Sequence, residues 1–239
     1  MHRGIKTAIS RGIFNVKSKF TPAGSFVVWS MCLAMLTGFG GCESAYYGAW
    51  EQFGVHKRDL LVDEVEDTVE AQEAAKEQFK SALEQFASVV AIEDSNLKSM
   101  YDNLNDEYED AVSRADAVSE HIAEVENVSD DLFVEWRGEL ESYTNANLRS
   151  SSERQLRDTQ AKYQELLGSM KKAEQRMAPV LNAFQDQVLF LKHNLNAQAI
   201  GSLKGELNAI ETDVARLIAD MESSINRSQA FIEDLEAGA

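Results

Sequence analysis

The sequence predicts an all-α protein: an elongated antiparallel four-helix bundle or coiled coil that follows an N-terminal lipoprotein-type signal peptide. Three observations predict the bundle. Apolar residues recur at alternating spacings of three and four, which is the heptad pattern of packed helices. The 239 residues include only 2 prolines and 13 glycines, so few residues interrupt helices. The breaks between the heptad runs are short, which favours antiparallel neighbours.

The signal peptide is predicted over residues 1–41. This segment has five basic side chains and no acidic one, and the apolar stretch SFVVWSMCLAMLTGF fills residues 25–39. Gly40 and Gly41 then precede Cys42. A basic start, a short apolar stretch and small residues at the cleavage point are typical of secretory signals. Because a cysteine directly after small residues is typical of bacterial lipoprotein signals, we predict Cys42 as the lipidation site and the first residue of the mature protein.

Other interpretations of this segment stay open. Residues 23–41 are mostly apolar and nearly reach the roughly 20 residues that cross a bilayer, so they are also compatible with an uncleaved anchor. The acid-free start is compatible with an organellar transit peptide, and the cysteine can follow an ordinary secretory signal by chance. With lipidation, Glu43 in place of aspartate favours the outer membrane over retention in the inner membrane. The predicted location is therefore the bacterial cell envelope, on the periplasm-facing side of the outer membrane.

The rest of the chain is predicted as a tether over residues 42–53 and a bundle over residues 54–239. Aromatic residues crowd the tether, and they either lie at the membrane interface or pack on the end of the bundle. Four heptad runs predict helices over residues 54–92, 95–145, 150–194 and 196–236.

Polar residues near the breaks predict where helices begin. Asp94 or Ser95 can cap the second helix, and Ser152 with Gln155 fits the capping box of the third. Pro179 interrupts the third run and predicts either a tolerated kink or a functional hinge.

The first helix has a stripe in which polar residues occupy two heptad positions. The apolar members of the predicted stripe are Val62, Val65, Val69, Phe79, Leu83, Phe86 and Val90. Gln72 and Lys76 fill the two remaining positions. Polar residues in a heptad stripe can specify register against a partner helix, so a homo-oligomer is a candidate assembly.

Charge and cysteine content exclude several classes of ligand. Without residues 1–41, the chain has 18 basic and 40 acidic residues, a net charge of −22. Such a body repels phosphate backbones, so no nucleic-acid partner is predicted. No cysteine follows Cys42, which excludes a disulfide or a cysteine-based metal site in the body.

We predict no catalytic, cofactor-binding or metal-binding residue, and no enzyme. One acidic cluster is interpreted as a solvated helix face: Asp63, Glu64, Glu66, Asp67, Glu70, Glu73 and Glu77. The four histidines, His2, His56, His121 and His193, are not paired at metal-ligand spacing, and no Glu-x-x-His pair of a di-iron bundle occurs. The sequence also lacks a phosphate-binding loop, a nucleophile elbow and a zinc helix motif.

Long stretches of the body resemble bacterial domain-of-unknown-function family 2959. The resemblance starts with YYGAWEQFGVHKRDLLVDEVEDTVEAQEAAKEQFKSALEQF at residues 46–86. It continues with LNDEYEDA at 104–111, MAPVLNAFQDQVLFLKHNLNAQAIGSL at 177–203 and IETDVARLIADMESSI at 210–225. The resemblance implies a secreted, lipid-anchored helical protein and implies no activity.

The function predicted first is a non-enzymatic envelope lipoprotein that acts as a coiled-coil structural or interaction module. It would contact the membrane through the lipid on Cys42 and protein partners through its helical surface. One alternative is a membrane-remodelling or pore-forming helical protein. The other is a metal-binding helical bundle.

Overall fold

The computed structural model describes residues 57–91, 96–194 and 196–237. These residues form the helices α1 (Lys57–Ala91), α2 (Leu97–Glu139), α3 (Ala146–His193) and α4 (Ala197–Ala237). A 3-10 turn, Leu140–Ser142, follows α2, and this part of the chain contains no strand. The predicted all-α four-helix bundle is confirmed. The predicted signal peptide and tether, residues 1–53, lie outside the described residues.

The four helices form a closed ring of neighbours. Helix α1 packs against α2 and α4, and α3 packs against the same two helices. Side-chain contacts show that adjacent helices run in opposite directions. Lys57 at the start of α1 lies 2.9 Å from Glu135 near the end of α2, whereas Gln78 further along α1 contacts Glu107 near the start of α2. The bundle is therefore antiparallel, with an up-down-up-down order.

The connectivity gives the bundle two different ends. The near end holds the start of α1, the link between α2 and α3 (residues 140–145), and the end of α4. The salt bridge between Lys162 and Asp234, at 2.7 Å, joins the early part of α3 to the last turns of α4 at this end. The far end holds the end of α1, the start of α2, the end of α3 and the start of α4. The chain therefore enters the bundle at the near end.

Helix α1 buries a different stripe from the predicted one. Its fully buried heptad positions are Leu61, Val65, Thr68, Gln72, Ala75, Phe79, Ala82, Phe86 and Val89. Val65, Gln72, Phe79, Phe86 and Val90 are buried as predicted. Val62, Val69 and Leu83 are only half-buried.

A charged residue explains this difference. The predicted stripe would have placed the Lys76 ammonium group in the core, where an unpaired charge is strongly disfavoured. The helix instead turns Ala75 inward, and Lys76 lies 3.6 Å from Glu73 at the edge of the core. Ala75 thus occupies the buried position that the predicted stripe assigned to Lys76.

The stripes of the other helices agree closely with prediction. Each of these helices buries apolar residues at alternating spacings of three and four, as a heptad run predicts; in α3, Val180 is buried and its neighbour Leu181 is only half-buried. Pro179 lies on the exposed side of α3, which continues as a helix through it. Whether Pro179 serves as a kink or a hinge stays a prediction. Among the described helices, none combines the length and the apolar character that a membrane span requires.

Asparagine side chains cap two helices. Asn96 accepts a hydrogen bond from the Ser99 N–H at 3.4 Å and caps α2; the predicted caps Asp94 and Ser95 lie outside the described residues. Asn145 accepts bonds from the N–H groups of the second and third residues of α3, at 2.9 and 3.3 Å. The predicted start of the third helix, at residue 150 with Ser152 as its cap, is therefore wrong. The helix begins earlier because Asn145, with an extended backbone, already accepts hydrogen bonds from the free N–H groups of its first turn.

Candidate functional site

The predicted lipidation site, Cys42, lies outside the described residues. The structure does show how the chain enters the bundle. Lys57 forms its salt bridge with Glu135, and the Arg58 guanidinium lies 5.3 Å from the centre of the Trp136 ring. A cation over an indole face is attracted by the ring electrons. The first turn of α1 is thus fastened to the last turns of α2.

The corner between α2 and α3, residues 142–157, has an unusual surface for this protein. It contains three arginines and one acidic residue, Glu153, a net charge of +2 within a body of −22. Tyr143 and Leu148 on this corner are 41% and 57% exposed. The corner is therefore a partly apolar surface at the near end with a small net positive charge, flanked by the exposed Glu141 and Asp158.

A second exposed apolar surface lies close to the far end. Leu189 and Phe190, in the last turns of α3, are 47% and 38% exposed. They are adjacent in sequence and lie within the last five residues of α3, which ends at His193. Large apolar side chains that stay exposed together are typical of contact surfaces.

The acidic face of α1 was predicted correctly except at one position. Six of its seven carboxylates are exposed, but Glu64 is half-buried at the seam between α1 and α2. His121 of α2 lies beside it, so one carboxylate oxygen each of Glu64 and Asp67 and a ring nitrogen of His121 all lie within 4.8 Å of one another. Sequence analysis missed this cluster because more than 50 residues separate His121 from the two carboxylates.

Burial and crowded negative charge act on Glu64. Burial is the main reason why the pKa of the Glu64 carboxyl is raised above its ordinary value, and the charges of Asp67, Glu124 and Asp63 raise it further. The charge of His121 acts in the opposite direction. The seam therefore concentrates negative charge that a single histidine does not balance.

The core also contains polar groups without partners. Gln72 is fully buried, and neither its amide nitrogen nor its amide oxygen has a hydrogen-bond partner among the described residues; the same is true of the Ser224 hydroxyl. Gln72 faces the interior of its own bundle and Lys76 pairs with Glu73. The buried Gln72 side chain thus contacts the helices of its own bundle, and the homo-oligomer for which Gln72 and Lys76 were to set register stays a prediction.

Comparison with known proteins gives a family and no close curated relative. Residues 46–235 match the family described as "Protein of unknown function (DUF2959)". No curated protein matches the sequence. The match covers most of the chain, all four helices except the last residues of α4, and the stretches that resemble the family. The chain therefore belongs to the DUF2959 family.

Proposed function

We propose that the protein is a lipid-anchored component of the bacterial cell envelope that acts without catalysis as a helical interaction module. Its lipid would be attached to Cys42, and its bundle would face the periplasm from the outer membrane. Protein partners would bind the helical surface, and nucleic acid would not.

The observation that carries this proposal is the position of α1. The cysteine that ends the apolar N-terminal segment precedes Lys57 by 15 residues, and α1 enters at the near end. A chain of this length spans at most about 50 Å. An anchor on Cys42 therefore keeps the near end within that distance of the bilayer.

The surface of the near end supports the same orientation. The α2–α3 corner has a small net positive charge, and its Tyr143 and Leu148 are exposed, whereas the body as a whole is strongly acidic. Basic and aromatic side chains are favoured beside anionic headgroups. In this orientation the far end, with Leu189 and Phe190, points away from the membrane and is available to a partner.

The test compares Cys42→Ala with Cys32→Ala, because Cys32 lies in the predicted signal peptide and is the only other cysteine. We expect wild type and Cys32→Ala to begin at residue 42, to have an added acyl mass and to fractionate with the outer membrane. We expect Cys42→Ala to be unprocessed or released. A full-length wild-type chain without lipid would contradict the proposal and would favour an uncleaved anchor.

A second candidate function is membrane remodelling by the far end. The exposed Leu189 and Phe190 favour it, because they place two large apolar side chains on the surface close to the far end. Dye release from liposomes tests this function, with Leu189→Ser/Phe190→Ser as the matched variant. Liposomes that stay intact at high concentrations of the wild-type protein would exclude it.

A further inference from the structure

We infer that Glu64, Asp67 and His121 form a binding site for a divalent transition-metal ion of the zinc type at the seam between α1 and α2. This inference does not depend on the lipid anchor. It rests on which groups the antiparallel packing brings together.

Helix geometry positions the three side chains. Glu64 and Asp67 are three residues apart on α1, so they project from the same face. His121 projects towards them from α2. The seam is fixed on both sides of this point, by the Lys57–Glu135 salt bridge at 2.9 Å and by the Gln78–Glu107 hydrogen bond at 2.7 Å. The register that brings His121 to the two carboxylates is therefore set by contacts outside the cluster.

The distances allow the three groups to bind one ion. Ligand atoms bound to tetrahedral zinc at about 2.0–2.1 Å are roughly 3.3 Å apart. The three ligand atoms here lie within 4.8 Å of one another, so small side-chain rotations close the remaining distance. None of the three side chains forms a hydrogen bond or a salt bridge with another described residue, which leaves their lone pairs available.

The chemistry of the ligands indicates the class of ion. An imidazole nitrogen with two carboxylate oxygens suits zinc and neighbouring transition metals, whereas calcium and magnesium prefer oxygen ligands alone. A dication would neutralise the carboxylates of Glu64 and Asp67 and relieve their repulsion with the nearby Glu124. Arg114 lines the same groove as Asp67 and His121 and opposes the binding of a cation.

A bound ion would join α1 to α2. Both helices contribute ligands, and α3 and α4 contribute none. Metal binding would then hold the beginning of α1 in the bundle without covering either end. An ion held by these three ligands would cross-link the two helices, and its fourth tetrahedral position would be open to water.

The experiment titrates the full-length protein, purified in mild detergent, with Zn²⁺ and measures binding by calorimetry. We expect one Zn²⁺ per chain, a melting temperature that rises with zinc, and no displacement by excess Mg²⁺. His121→Ala and Glu64→Gln should each weaken binding by at least about tenfold and abolish the rise in melting temperature. Arg114→Ala should strengthen binding, which a variant with a damaged fold would not do.

His193→Ala is the matched control, because His193 is exposed in the last turn of α3. It should bind Zn²⁺ like the wild type. Far-UV circular dichroism establishes that each variant is folded. Absence of stoichiometric binding, or several weak ions bound equally by wild type and His121→Ala, would overturn the inference.

Discussion

The indole Nε1–H of Trp136 donates a hydrogen bond to the hydroxyl oxygen of Ser152, with 2.8 Å between the two atoms. This bond joins the last turns of α2 to the second turn of α3. It forms because α3 begins at Ala146, which places Ser152 inside the helix and opposite Trp136. The bond thus closes the near end, where the Arg58 guanidinium also packs on the same indole ring.

Removing the acceptor should destabilise this end. Trp136 is only 8% exposed, so Ser152→Ala leaves an almost buried N–H group without its partner. We expect the free energy of unfolding to fall by about 1–2 kcal/mol in urea denaturation. Ser151→Ala is the control, because Ser151 is exposed and the change in helix propensity is the same. Equal stabilities of the two variants would show that the bond contributes little.

Replacing the unpaired buried amide should stabilise the protein. Gln72→Met keeps the approximate volume of the side chain and removes a polar group whose nitrogen and oxygen lack partners among the described residues. We expect a gain of about 1–3 kcal/mol in the free energy of unfolding, measured by thermal and chemical denaturation.

A second glutamine on the same helix provides the control for this prediction. Gln78 donates hydrogen bonds to the Glu107 side chain and backbone at 2.7 and 3.2 Å, so Gln78→Met should give no gain. A destabilised Gln72→Met variant would show that the amide is satisfied in solution.

The pH dependence of stability should involve Asp220. Partial burial alone would raise the pKa of its carboxyl, but hydrogen bonds from Lys172 and Arg176, at 2.8 and 2.9 Å, and their charges outweigh burial. The pKa therefore lies below its ordinary value of 3.8. Since the folded-state pKa is the lower one, this carboxylate stabilises the fold above about pH 4, and its contribution is lost as the pH falls through the folded-state pKa.

Asp220→Asn tests this dependence. We expect the variant to be less stable than wild type by about 1 kcal/mol at pH 7, because two salt bridges to partly exposed partners are lost. The difference should shrink below pH 4. Asp213→Asn is the control: Asp213 pairs only locally with Arg216, at 3.2 Å on an exposed face, so its effect should be smaller at every pH. A difference that persists at low pH would assign the effect to packing.

The far end should be the surface that contacts protein partners. A photo-crosslinking amino acid at Phe190, expressed at the native level, should capture a specific envelope protein. The same group at Val134, which is 61% exposed on α2 towards the near end, should not capture it. Leu189→Ser should reduce the capture at Phe190 without changing the melting temperature, since Leu189 is exposed. Equal capture at both positions would indicate that the far end has no special role.

The helices and most of their buried stripes could be predicted from sequence because heptad spacing determines which side of a helix is apolar. The register of α1 could not. Leu61 and Val62 are neighbours and both are apolar. The choice between them decides whether Ala75 or Lys76, fourteen residues further along, is buried. The start of α3 was also missed, because Asn145 and Ser152 are both good capping residues and only the contact with Trp136 distinguishes them.

The cluster of Glu64, Asp67 and His121 shows a different limit of prediction from sequence. The spacing of Glu64 and Asp67 on one helix face is visible in the sequence, but their approach to His121 depends on the relative register of two antiparallel helices. That register is set by contacts such as the one between Gln78 and Glu107, which the heptad pattern does not specify. Such a cluster can be found from sequence by assuming antiparallel packing of neighbouring helices. Metal-ligating residues of one helix are then searched for opposite those of the next.

The entry of the chain at the near end determines how the bundle responds to mechanical load. If the chain is held at the start of α1 and a partner pulls on the far end, the force acts along the helix axes. Helix α1, at 35 residues, is about 52 Å long, and it then slides against α2 and α4 along that whole length. Shear of this kind strains all layers of the core together, whereas peeling would open them one at a time. The arrangement of the helices therefore makes the bundle resistant to unfolding by a force that pulls along its axis.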